Sequence, residues 1–332
     1  MRAAVIVNPT KVSIDVFTVA LAAVEQRHGF EPSLLLTTTL ETDAETLAVD
    51  VLDADIDLVV ACGGDGTVRL VVGALADATL AGGPRIPLGI VPLGTGNLLA
   101  RNVGISPNDP LETQLERAFI GTEREIDACQ LRYTLADGTS DAQWFAVIAG
   151  MGVDAGMVKH TDSEVKKRIG WLAYLGGVAR SLRAEPHLTA RFRIDHDRTY
   201  GARAASVMFV NCGMLQGGVA LVPDAAPDDG RLHVLVARPR GTSGWFALLG
   251  HTLLASLARI RPPLRKLLQE VDARDQVHAR GGGNRAVTGD SGVAAAFAID
   301  SAPEPLQLDG DLVGDVRSGV VTVHPAAVTV RL

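Results

Sequence analysis

The chain has 332 residues, 47% of them hydrophobic but only 4% aromatic; at about 100–200 residues per domain there is room for two domains, with cores built from Val, Leu, Ile and Ala. The net charge is −7, from 31 Lys and Arg against 38 Asp and Glu. This argues against nucleic-acid binding through a generally basic surface, though a local basic patch stays open.

The first 130 residues alternate between short apolar runs and helical spacing. Strands are expected at 2–7, 32–37, 56–61 and 87–91, and helices at 14–28, 44–52, 68–78, 97–103 and 111–119. Continuous apolar strands separated by helices imply a parallel sheet covered on both faces. After Asp127 the rhythm changes to strands at 130–135, 144–149, 190–194, 206–210, 232–237, 294–299, 305–308 and 320–323, broken by helical patches at 164–182 and 243–271. Turn dipeptides such as Asp137-Gly138 point to antiparallel pairing. The expected architecture is an α/β parallel-sheet nucleotide-binding domain, residues 1–128, followed by an antiparallel β-sandwich domain, residues 129–332. The last strand is expected to pack back toward the first domain.

Cys62, Cys129 and Cys212 lie far apart with no CxxC spacing, which fits a reducing compartment and offers neither a disulfide framework nor a zinc knuckle. The histidines form no HExxH pair. No run reaches the roughly 20 apolar residues of a membrane helix, and the N-terminus has no signal-peptide pattern; a cytoplasmic protein is expected.

Three elements follow predicted parallel strands, where ligands of open α/β sheets sit. The first is Asn8-Pro9-Thr10. The second is Gly63-Gly64-Asp65-Gly66-Thr67, where glycines let backbone approach a ligand and the helix start favours negative charge. In it Asp65 fits a pure anion site only if it meets a ribose hydroxyl, a metal or a helix cap. The third is Gly94-Thr95-Gly96-Asn97. Neither loop is a Walker A or a GxGxxG fingerprint, so a nucleotide-phosphate cradle of another kind is expected.

GGDGT with PLGTGN, after an N-terminal Asn-Pro-Thr, resembles the diacylglycerol kinase catalytic-domain family, which includes bacterial lipid kinases and sphingosine kinases. GGDGT alone marks a wider superfamily shared with NAD kinases and 6-phosphofructokinases. Thr38 ahead of Asp43-Ala44, the 170–174 stretch, Asp229-Gly230 and Leu308-Asp309-Gly310-Asp311 extend the resemblance in order along nearly the whole chain. It implies that Asn8 to Val12, Thr38, Gly63 to Thr67 and Thr95 hold ATP. It implies that Asp229 ligates Mg2+ by its side chain, with the backbone carbonyls of Ala226 and Arg231. Asp309 and Asp311 would sit at the reacting hydroxyl, one as general base. Three features depart from the family pattern: the N-terminal element lacks the usual Ser-Gly, Arg69 stands where Asn is common, and Asp311 replaces the usual Glu.

In a β context Asp309 and Asp311, two residues apart, would face the same way; the other reading of Asp309-Gly310 is a hairpin turn with solvated acids, and which aspartate is the base stays open. The basic cluster Lys166-Lys167-Arg168 beside Trp171 and Tyr174, and Arg259, Arg261, Arg265 and Lys266 around the 245–257 apolar patch, suit either an anionic lipid surface or two solvated helix faces packing on the sheets. The expected activity is transfer of the γ-phosphoryl group of ATP to a lipid alcohol such as diacylglycerol, at the inner face of a membrane, with a homodimer allowed. The alternatives are a sphingoid-base kinase, an NAD kinase-type enzyme, or a non-catalytic nucleotide or lipid sensor.

Overall fold

The computed structural model describes residues 1–39, 42–52, 55–152, 188–197, 199–238 and 287–332. The α/β half runs β1 (Ala3–Val7), α1 (Ile14–His28), β2 (Leu34–Thr37), α2 (Ala44–Leu52), β3 (Leu58–Gly63), α3 (Asp65–Leu80), β4 (Leu88–Pro92), α4 (Leu98–Asn102) and α5 (Leu111–Ile120). Its strands are parallel in the order β4-β3-β1-β2. Every residue of β1, β3 and β4 is buried, which is why these strands read as unbroken apolar runs. In β1, Ala4 and Ile6 face Val71, Val72 and Leu75 of α3, while Ala3, Val5 and Val7 face Phe17 and Leu21 of α1 and Leu115 and Phe119 of α5. Helix α3 starts at Asp65, three residues before the sequence spacing predicts, because the end of GGDGT supplies its first turn.

The β half contains β5 (Glu123–Leu135), β6 (Ser140–Phe145), β7 (Ile148–Gly152), β8 (Leu188–Ile194), β9 (Tyr200–Ala204), β10 (Ser206–Val210), β11 (Leu232–Ala237), β12 (Val287–Gly292), β13 (Ala294–Ile299), β14 (Glu304–Leu308) and β15 (Asp311–Arg331). Among themselves they pair antiparallel, around a core that includes Phe145, Met151, Phe209, Phe297, Leu306 and Val321. This is the expected class: a parallel-sheet α/β domain followed by a β-sandwich.

Two strands differ from the sequence reading. The single strand expected at 144–149 is two, β6 and β7, broken at Ala146 and Val147. The strand expected at 320–323 is the middle of β15, which runs for 21 residues. Gly314, Gly319 and Pro325 interrupt its apolar pattern, so only the fragment between them reads as strand. β15 pairs in turn with β14, β13 and β5, and its end pairs parallel with β4, Val330 against Leu88. The 128/129 boundary falls inside β5, so both halves share backbone ladders. The patches expected at 164–182 and 243–271, with their basic and aromatic residues, lie outside the described residues. Among the described residues no helix is long and apolar enough to cross a membrane.

Candidate active site

The carboxyl ends of β2, β1, β3 and β4 lie side by side: Val7 pairs with Thr37 and with Cys62, and Gly63 with Pro92. Backbone bonds carry the ladder one residue further. Thr38 donates to the Val7 carbonyl at 2.9 Å, Asn8 to Cys62 at 2.9 Å and Leu93 to Gly63 at 2.8 Å. Asn8, Thr38, the 63–67 loop and the 94–97 loop are thereby gathered at one sheet edge.

Several side chains expected to meet a ligand are instead committed to the loops. The Asn8 Oδ1 accepts from the Thr10 N–H at 3.0 Å and the Thr10 hydroxyl at 2.7 Å, folding Asn8-Pro9-Thr10 into an Asx turn. Pro9 and Thr10 are exposed beside it. The Asp65 carboxylate accepts the Asn97 N–H at 2.8 Å and the Leu98 N–H, so it caps α4 from the neighbouring loop. Burial pushes its carboxyl above the usual range, against the pull of those amides. Asn97, at φ 49°, closes its own loop: its Nδ2 donates to the Gly94 carbonyl at 2.7 Å and its Oδ1 accepts the Gly94 N–H at 2.9 Å.

The two loops touch through their glycines. A Cβ on Gly94 would lie 2.6 Å from the Gly64 Cα, and one on Gly96 2.6 Å from Asp65 Oδ2. At Gly96 the missing side chain makes room for the Asp65 cap. At Gly64 the same construction meets only Gly94 Cα at 3.5 Å, an ordinary contact, leaving that backbone accessible. Gly64 is the N-cap of the 16-residue α3, whose first N–H groups have no intrahelical partner. Thr67 is buried in that first turn, and Thr95 is exposed at the tip of the other loop.

The expectation that Asp309 and Asp311 face the same way is corrected. Asp309 and Gly310 form the two-residue turn between β14 and β15, both with positive φ (48° and 95°), as a type I′ hairpin requires. That turn sends the two carboxylates into different surroundings. Asp309 is 7% exposed, and its oxygens accept the amides of Ala146 at 2.7 Å, Val147 at 2.9 Å and Ile148 at 2.8 Å. Burial raises its carboxyl to about 6, opposed by these amides and by Arg69. Asp309 thus fastens the break between β6 and β7. The Asp311 side chain is 54% exposed, and its Oδ2 lies where a Cβ on Gly66 would approach to 2.7 Å. A carboxylate from the second half of the chain therefore sits against the GGDGT loop of the first. Arg69, on α3, donates to Asp311 Oδ2 from Nη2 at 3.3 Å and to the Trp144 carbonyl from Nη1 at 3.3 Å.

The Asp229 loop is organised around its own carboxylate. Asp229 Oδ1 accepts the Arg231 N–H at 2.8 Å, and Oδ2 accepts the Ala226 N–H at 3.0 Å and meets His233 Nε2 at 3.1 Å. Ala226 and Arg231 thus turn amide hydrogens toward the Asp229 carboxylate, and the Ala226 carbonyl accepts the Asp229 N–H. Asp127, 2% exposed, accepts from Gly230 at 2.7 Å and from Ala326 at 3.0 Å. Burial pushes the Asp127 carboxyl up, and Asp229 and Asp228 add to the rise. No cluster of three or more His, Cys, Asp and Glu side chains suited to a metal occurs among the described residues. Magnesium is often held by one or two carboxylates and several waters, and Asp229, with Asp127 beside it and Asp228 paired to Arg124, offers carboxylate oxygens of that kind.

Sequence reasoning missed Gln216, whose Nε2 donates to the Thr95 carbonyl at 3.2 Å, and Asn102, whose side chain binds the Met214 carbonyl at 2.9 Å and N–H at 3.0 Å. These bonds fasten a loop of the β half to the Gly94–Asn97 loop and to the end of α4. No local sequence signal marks either residue.

Glycine-rich loops on a parallel sheet edge, met by a carboxylate from a β-sandwich, belong here to a kinase architecture. Residues 2–131 match the family model of the diacylglycerol kinase catalytic domain, and residues 147–259 that of the YegS C-terminal NAD kinase beta sandwich-like domain. A diacylglycerol kinase of Bacillus subtilis (strain 168) is 31% identical over 242 residues, covering 71% of this chain and 74% of that one. The chain belongs to the diacylglycerol kinase-type family of lipid kinases. A Stenotrophomonas maltophilia (strain K279a) protein named "Probable lipid kinase YegS-like" is 35% identical over 197 residues, 58% of this chain. The match spans 60% of that relative's length. The crystal structure of a diacylglycerol kinase from Bacillus anthracis str. Sterne shares the fold with a TM-score of 0.62 at 16% identity, covering 99% of this chain and 96% of that one. A second crystal structure from that organism gives 0.73 at 18% identity, covering 99% and 94%.

Proposed function

We propose that this protein is an ATP- and magnesium-dependent lipid kinase that moves the γ-phosphoryl group of ATP to the hydroxyl of a lipid alcohol, with diacylglycerol the first candidate. The observation that carries the reading is the placement of Asp311 against Gly66, a carboxylate beside the start of a helix suited to phosphate. The nucleotide would lie along the sheet edge, against the Asn8–Thr10 turn, Thr38, the Gly63–Thr67 backbone and Thr95. Phosphoryl transfer needs positioning and charge neutralisation, with one carboxylate orienting the nucleophile. Asp311 is assigned that role, because both Asp309 oxygens are occupied by backbone amides. Asp229 would hold magnesium, whose bound charge offsets that of neighbouring carboxylates and phosphates. Contact with an anionic membrane surface through the basic residues at 166–168 and 259–266 completes the proposal.

The test is ATP turnover with diacylglycerol, a sphingoid base and other lipid alcohols in mixed micelles. NAD is included because the matched C-terminal model is of NAD kinase-like type. Turnover of a lipid alcohol, with a loss of about 10²–10⁴-fold in kcat for Asp311→Asn, supports the reading. Turnover of NAD alone, or of no acceptor, overturns it.

A further inference from the structure

Arg69 is among the buried charged residues, 8% exposed, and it stands on α3 one turn beyond the GGDGT loop. Its guanidinium reaches two strands of the other half: Nη1 donates to the Trp144 carbonyl at 3.3 Å and to Gln143 Oε1 at 3.5 Å on β6, and Nη2 donates to Asp311 Oδ2 at 3.3 Å at the start of β15. Its Nε is buried with no hydrogen-bond partner. Keeping an arginine in such a place costs desolvation. Packing alone does not account for it, since an apolar side chain of similar length would fill the same volume.

The Asp311 end of the contact is asymmetric. Arg69 takes Oδ2, while Oδ1 has no protein partner among the described residues, and the side chain is 54% exposed. A carboxylate on an exposed strand end is free to rotate unless something fixes it. A planar, multiply anchored guanidinium does that better than an ammonium. Gly66 leaves the space into which Asp311 Oδ2 is drawn.

We infer that Arg69 is a positioning residue for phosphoryl transfer. Anchored to the Trp144 carbonyl, it holds Asp311 by one oxygen so that the other faces the acceptor hydroxyl over the phosphate loop. This rests on the assignment of Asp311 as the base, and the experiment separates the two.

Steady-state turnover is measured with ATP and diacylglycerol in mixed micelles for the wild type, Arg69→Met, Arg69→Lys, Asp311→Asn and the double variant Arg69→Met with Asp311→Asn, with thermal melts as the folding control. Arg69→Met should lower kcat by roughly 10- to 100-fold, the scale of a misplacement of about 1 Å, while KM for ATP stays near the wild-type value. Arg69→Lys should recover part of that loss. In the Asp311→Asn background Arg69→Met should cost nothing further, because its effect runs through a group already removed. Equal losses in the two backgrounds overturn the positioning role and leave the base assignment standing. A full kcat in Asp311→Asn overturns both. If Arg69→Met does not fold, Arg69→Lys, alone and combined with Asp311→Asn, carries the same comparison.

Discussion

Single side chains decide how this site is built, and the two aspartates of the β14–β15 turn make the point. Asp309 is an internal fastener and Asp311 a surface acid, although one glycine separates them. Asp309 titrates near 6 in the fold against about 3.9 unfolded. A raised folded pKa favours the native state at low pH: its contribution is complete below about pH 4 and is lost as pH rises through about 6. About two pH units at 1.36 kcal/mol each amounts to roughly 3 kcal/mol. Urea unfolding should therefore show wild-type stability falling by roughly this much between pH 4 and 6.5 relative to Asp309→Asn. Parallel pH profiles for the two proteins would refute it. At Gly64 the expected result is local: Gly64→Val should abolish ATP binding in a folded protein, because the branched side chain stands over backbone that phosphate must reach. Near-normal affinity, read by calorimetry, would remove this loop from the nucleotide site. Gly96→Val should instead lower the melting temperature, since its side chain collides with the Asp65 cap.

At the level of elements, the loops are held by one another as much as by their own strands. Asp65 of one glycine-rich loop caps the helix after the other, and Gln216 of the β half holds Thr95. The 226–231 loop is organised in the same way around Asp229, with Asp127 and Asp228 beside it and Arg124 bound to Asp228 at 2.6 Å. Asp229→Ala should lower the melting temperature even without metal, because the Ala226 and Arg231 amides lose their acceptor. The informative quantity is the magnesium effect. A ligand that binds only the native state stabilises it by mass action, so the rise in melting temperature on adding magnesium should vanish in Asp229→Ala. An undiminished rise would place the ion elsewhere.

Across the whole molecule the two halves are bound by shared strands. β5 crosses the sequence boundary, and β15 runs from the Asp311 site to the parallel ladder with β4. Val330, fully buried in that ladder, belongs to the α/β core. Val330→Asp places an unpaired charge there, and hydrogen exchange should report loss of protection in β3 and β4 together with β5 and the start of β15. Loss confined to β3 and β4 would mean that the halves unfold independently.

The sequence by itself determined what depends on local order. Continuous apolar runs gave β1, β3 and β4, 3.6-residue spacing gave α1 and α2 at the bounds the structure has, and GGDGT with PLGTGN placed the glycine-rich loops at strand ends. Those signals arise from neighbouring residues and survive without the fold. The break between β6 and β7 was hidden, because Trp144 to Ala149 is apolar throughout and the split is stabilised by Asp309, more than 160 residues away. The full length of β15 was hidden too, since its partners change along the strand. The Asp309-Gly310 dipeptide leaves a hairpin turn open beside the period-two reading. Only tertiary structure separated the surroundings of Asp309 and Asp311, because their partners, the 146–148 amides and Arg69, come from distant parts of the chain. The Arg69–Asp311 contact spans 242 positions. Nothing in either residue's neighbourhood encodes it; it exists because β15 folds back onto the start of α3.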